Sequence, residues 1–154
     1  MEEQVIETWM INDRIIRYML GAVAPEAFKD ISASKGRTVA EQFAHIHNVR
    51  LMWLKQAAPD LLKGLEKIEK DQPADARKLT TQLEKSGQAV AALLRSALAS
   101  GLRVKGFKPH AIGFLGYLIS HESHHRGQIA LTLKQGGHPL DKKTAFGLWE
   151  WGSR

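Results

Sequence analysis

No cysteine occurs among the 154 residues. Disulfides and thiolate metal sites are therefore excluded, and no protein thiol can act as a nucleophile. Any thiol chemistry here must use a thiol supplied from outside. The absence also fits a cytoplasmic location. A second absence is any run of about 18 or more uncharged apolar residues, so no transmembrane helix and no membrane partner are expected. The start, Met1-Glu2-Glu3-Gln4, is acidic. A secretory signal would open with basic residues and continue with an apolar stretch, so none is expected.

A concentrated basic face is missing too. The net charge is +6, yet residues 1–30 hold six acids against three bases, and the remainder ten acids against nineteen bases. The basic residues are scattered, with one loose group at Arg95, Arg103, Lys105 and Lys108. Nucleic-acid binders gather basic charge on one face or arm. The better reading is a solvated basic surface or attraction of an anionic small molecule. Internal repeats, low-complexity segments and sustained strand-period alternation are also lacking.

What remains is helical periodicity. With 44% apolar residues in one domain's length, the chain can bury a substantial core. Residues 1–154 are read as a single domain. Val5, Trp9, Ile16 and Leu20 recur at helical spacing, predicting a first helix over Glu3–Leu20, ended by Gly21 and Pro25. A second is predicted over Val39–Ala58. There Thr38-Val39-Ala40-Glu41 spells a capping box, Val39, Phe43, Ile46 and Trp53 mark one face, and Pro59 stops it. A short helix is sketched over Leu61–Lys70. A third helix follows Pro73, over Ala74–Ala99, with Leu79, Leu83, Val90, Leu94 and Leu98 as its stripe and Gly101 closing it. The fourth opens near Pro109 and runs to Gln135, where Gly136-Gly137 ends it. The segment from His138 to Arg154 reads as an irregular tail. Its Leu140, Phe146, Leu148, Trp149 and Trp151 suit packing onto the bundle or onto a second subunit. The fold class is all-α, a four-helix bundle.

Seven histidines stand at 45, 47, 110, 121, 124, 125 and 138. His121 and His125 are four apart, so they share one helix face. The expected core stripe of this helix passes through Phe114, Leu118, His121, His125 and Thr132, which places the pair on the buried side. Buried imidazoles need partners. A divalent metal supplies one, because it binds neutral imidazole nitrogen at about 2.0–2.1 Å. The third ligand must come from another helix. His45 and His47 are about 200° apart around theirs, so both cannot face the core, and the apolar neighbours of His45 favour it. A hydrogen-bonded core pair without metal is the alternative. His47, His110, His124 and His138 are read as exposed or supporting residues.

His121-Glu122-Ser123-His124-His125 also spells H-E-x-x-H, which in zinc proteases places the glutamate as general base. Such proteases usually carry a substrate-binding sheet, and none is readable here.

Three segments, taken together, resemble the DinB/YfiT-like superfamily, four-helix metal-binding proteins related to thiol-dependent S-transferases. The first is Trp9 to Asn12 with Arg14. The second is Thr38-Val39-Ala40-Glu41-Gln42-Phe43-Ala44-His45-Ile46, followed by Trp53-Leu54. The third is His121 to Ile129, which looks like the family's H-x-x-x-H-R-G-Q-I helix. The resemblance spans nearly the whole chain and implies a metal on His45, His121 and His125. Within its last motif, Gly127 is expected to let a neighbouring helix approach closely.

Three imidazoles leave open coordination positions, which a catalytic metal needs. Zinc and nickel rank first for imidazole ligands. The resemblance implies a low-molecular-weight thiol as co-substrate and a transferase, or related hydrolase, acting on a small electrophile; water could equally be the nucleophile. The competing reading is a non-catalytic stress protein whose metal ties helices together or whose bundle serves as a dimer scaffold. A homodimer is expected by similarity.

Overall fold

The computed structural model describes residues 1–70, 75–101 and 103–154. Four long helices build it: α1 (Glu2–Gly21), α2 (Val39–Ala57), α3 (Ala76–Ser100) and α4 (Ala111–Gln135), with a short α5 (Lys142–Gly147) behind them. Among the described residues no strand forms; the only pairing of that kind is an isolated bridge between Ile31 and Thr38. Among the described residues no helix is long and apolar enough to cross a membrane.

The local signals act as their chemistry requires. The Thr38 hydroxyl accepts from Glu41 N at 3.1 Å, and the Glu41 carboxylate accepts from Thr38 N at 2.7 Å. Both otherwise unpaired donors at the start of α2 are thereby satisfied. Gly101 takes the left-handed conformation, φ 65°, that closes α3. At α4 the cap is His110, whose Nδ1 accepts from Gly113 N at 3.0 Å, so the helix opens just after Pro109. The predicted start of α3 at Ala74 lies outside the described residues. Two expectations are corrected. Over 61–70 only a 3₁₀ turn, Pro59–Leu62, forms; an apolar pattern this short cannot offset the nucleation of a helix. The tail is less irregular than expected, because Asp141 caps α5 through Thr144 N at 2.8 Å and Trp151–Ser153 forms a further 3₁₀ turn. It packs on the bundle as predicted, with Leu140, Leu148 and Trp151 against the core.

Helix α1 packs against α3 and α4, and α2 also packs against α3 and α4. The apolar core falls into two clusters. One gathers Ile15, Ile16, Phe43, Ile46, Leu83 and Ile129; the other Trp9, Leu54, Val90, Phe114 and Leu118. Chain order through the clusters shows that α1 and α4 run one way and α2 and α3 the other. Two parallel neighbours in sequence need a long return, and the connection between α2 and α3 provides it. Between the clusters every long helix contributes a buried polar residue: Asn12 and Asp13, His47 and Arg50, Ser86, and Glu122 and His125. The histidines of interest sit at this level.

Candidate metal centre

The polar layer is organised by Arg50 of α2. Its Nε and Nη2 donate to the two oxygens of Glu122 at 2.6 and 2.9 Å, and its Nη1 donates to Asp13 at 2.7 Å and to the Leu83 carbonyl at 2.9 Å. Arg17 Nε adds a 2.9 Å bond to the second Asp13 oxygen, and Asn12 Nδ2 a 2.7 Å bond to Glu122. The guanidinium also lies 4.9 Å from the centre of the Trp9 ring. Burial disfavours the Arg50 charge, but Glu122 and Asp13 outweigh it and hold its pKa above the usual value. Two carboxylates thus meet two guanidinium groups, and the layer ties α2 to the three other long helices.

Beside this layer, His45 of α2 meets His121 and His125 of α4. Ring centres lie 5.4 Å apart for His45 and His121, 4.5 Å for His45 and His125, and 4.6 Å for His121 and His125. Each ring offers one nitrogen within 4.8 Å of the other two, so the triad could hold a metal ion. Burial, reinforced by neighbouring positive or histidine groups, lowers the pKa of His45 and of His125 to about 4. Burial also lowers that of His121. All three are therefore neutral near pH 7, the form that ligates a cation.

Two further observations bear on the fit. The Gln42 side-chain oxygen lies 2.9 Å from His125 Nδ1. An amide oxygen can only accept, so Nδ1 carries the proton and Nε2 is left with its lone pair. Nδ1 of His121 is buried without a hydrogen-bond partner, which leaves a nitrogen able to take a Lewis acid. A three-imidazole donor set of this kind suits zinc, nickel or iron.

The residues predicted as ligands are brought together, but the rotation of their helices differs from the expected one. His47, not His45, faces the core. It is fully buried, with Nε2 donating to the Glu66 carbonyl at 2.7 Å and Nδ1 3.0 Å from Ser86 Oγ. On α4 the stripe runs through Glu122 and His125, while His121 is only half-buried. The core is polar at this height, so the residue with matching polar partners takes the inside position. His124 is exposed, and His138 pairs with Asp30 at 2.7 Å.

Glu122 cannot serve as the base of an H-E-x-x-H protease, since it is buried and Arg50 and Asn12 engage both its oxygens. Gly127 also departs from expectation. It is exposed, and a Cβ there would meet nothing within 4 Å, so among the described residues no neighbouring helix approaches it. The close approach occurs at Gly87 of α3, where a Cβ would run into the Asp13 carboxylate.

Sequence reasoning missed Asp13, Arg50 and Gln42. A usable signal was present. Asp13 lies between Trp9 and Ile16 on the α1 stripe, and Arg50 between Ile46 and Leu54 on the α2 stripe. Two opposite charges in core positions call for each other.

The triad is open to its surroundings. His45 and His121 are half-buried. Tyr117 stacks on His121 at 6.4 Å and leads to Trp53 and Phe107. On the other side, a cavity of about 810 Å³ has His45 in its wall.

Residues 1–145 match the DinB family. Neither the curated proteins nor the solved structures gave a match. The family match spans all four long helices and all three triad histidines, in agreement with the motifs at 38–46 and 121–129. The chain belongs to the DinB family.

Proposed function

We propose that His45, His121 and His125 bind one divalent metal ion, zinc or nickel, and that the protein is a metal-dependent transferase joining a low-molecular-weight thiol to a small electrophile, or a related hydrolase. The observation that carries this reading is the convergence of three neutral imidazoles from two helices at a place that small molecules can reach. A cation held by three protein ligands would keep coordination positions for water or a thiol and lower the pKa of either, so that an anionic nucleophile exists at neutral pH.

The chain's own contribution is positioning. Gln42 fixes the proton on Nδ1 of His125. The Arg50 layer holds α2 and α4 in register, so the three rings keep their spacing. Because the chain has no cysteine, a thiol nucleophile would come from a co-substrate.

A scaffold role, with a metal only fastening α2 to α4, would be favoured by a sealed site; the half-exposed rings of His45 and His121 and the adjoining cavity favour access. Exposed Phe146, Trp149 and Leu131 offer apolar surface for a second copy, and light scattering in solution tests the homodimer. For the enzyme reading, the test is a panel of thiols and electrophiles assayed with metal-loaded protein, metal-free protein and His121→Ala. Turnover is expected only from the loaded wild-type protein. Full turnover by metal-free protein would contradict the proposal.

A further inference from the structure

The cavity beside His45 has an unusual balance of charge. Its volume, about 810 Å³, falls within the range of small-molecule sites, about 300–1,000 Å³. One wall is the first half of α2, where Ala40, Glu41, Ala44, His45 and Asn48 line it. Four cations line it, Lys29, Arg37, Lys67 and Lys70, against two carboxylates, Glu41 and Glu69. Both carboxylates are engaged within the protein: Glu41 accepts from Thr38 N at 2.7 Å, and Glu69 pairs with Lys67 at 3.0 Å. Among the described residues, Lys29, Arg37 and Lys70 have no ion-pair partner.

The two cationic sides are fixed relative to the triad. Asn48 of α2 pins one of them, donating to the Ile68 carbonyl at 2.9 Å and accepting from Ile68 N at 3.0 Å. The other is held by Val39 N donating to the Asp30 carbonyl at 3.0 Å and by the bridge between Ile31 and Thr38. Arg37 is close enough for its charge to act on both His45 and His121. Unpaired cations facing one another across a cavity repel; an anion between them removes that repulsion and gains charge-assisted hydrogen bonds.

We propose that this cavity is the binding subsite for a small organic molecule bearing two or more carboxylates, anchored by Arg37 with Lys29 and Lys70 and directed toward His45. Only its role as co-substrate rests on the metal-dependent reading of the triad; the binding itself does not. The arrangement selects for acidic ligands because a neutral analogue of the same shape leaves the cations unpaired. Arg37 is the principal anchor, since its planar fork matches a carboxylate.

Calorimetric titration of the full chain with succinate, and with succinamide as the neutral control, tests the subsite. It is done on metal-free and on zinc-loaded protein, for wild type, Arg37→Gln, Lys67→Gln and the remote Lys142→Gln. The expected result is saturable succinate binding by metal-free wild type, unchanged in Lys142→Gln, weakened about tenfold in Arg37→Gln and reduced by added salt. Lys67→Gln should weaken it less, because Glu69 already shares that charge. Absence of saturable binding, equal binding of succinamide, or undiminished binding by Arg37→Gln would overturn the proposal. So would binding confined to zinc-loaded protein, which would make succinate a ligand of the metal. Should the protein take up no zinc while succinate binding still follows Arg37, the metal reading fails and the subsite stands.

Discussion

Arg50 joins two buried carboxylates, Asp13 and Glu122, in the middle of the bundle. It is itself fully buried. Removing it leaves Glu122 with Asn12 and Asp13 with Arg17, and deprives both carboxylates of their shared partner. Breaking one side of such a pair costs about 3–5 kcal/mol, so Arg50→Ala should lower the urea midpoint by a corresponding amount or prevent folding. Arg50→Lys should recover only part of the loss. It keeps the charge but cannot donate side-on to both Glu122 oxygens while reaching Asp13. A midpoint for Arg50→Ala equal to wild type would mean that the layer does not hold the helices.

At the scale of elements, α1 and α3 meet most closely at Gly87, where Trp9 Nε1 donates to the Gly87 carbonyl at 2.8 Å. A methyl group at Gly87 would collide with Asp13. Gly87→Ala should therefore destabilise by about 1–3 kcal/mol despite the better helix propensity of alanine, read as a lower midpoint in urea. His47 joins α2 to α3 and to the segment at Glu66. Burial, only partly opposed by the bond to the Glu66 carbonyl, holds its pKa down to about 4. The unfolded chain takes up that proton from about pH 6.5 downward, whereas the folded one resists until about pH 4. The stabilisation is thus complete above about pH 6.5 and is lost as pH falls through 4, on the order of 3 kcal/mol for this residue. His45 and His125 add to the same window. Metal-free His47→Asn should accordingly show a shallower loss of stability between these pH values than metal-free wild type; equal slopes would remove His47 from the account.

These elements also show what was legible beforehand. The ends of α2 and α3 were readable because Thr38, Glu41 and Gly101 act within one turn of themselves. The pairing of His121 with His125 was readable because it needs only helical spacing. The rotation of α2 and α4 was not. Their inward faces are set by polar partners on other helices, Ser86 and the Glu66 carbonyl for His47, Arg50 for Glu122, and no local pattern announces those. The motif at 38–46 pointed to His45, which the fold brings beside His121 and His125; its apolar neighbours pointed to the same residue, for a reason the fold reverses.

For the whole molecule, the two apolar clusters and the polar layer between them make one design. The layer sets the height at which α2 and α4 are held together, and the triad sits at that height on the open side. A basic cavity lies on one flank and an aromatic wall, Tyr117, Trp53 and Phe107, on the other. Packing α2 against α4 therefore brings the three histidines together. Everything proposed for the triad depends on the metal. Metal content of protein purified without a histidine tag, measured after equilibration with zinc or nickel and gel filtration, gives the most direct answer. One ion per chain is expected for wild type and for His124→Ala, and none is expected to be retained by His45→Ala, His121→Ala or His125→Ala in preparations that remain folded by circular dichroism. Wild-type protein that retains no ion, or a folded His45→Ala that retains as much as wild type, would contradict the metal reading.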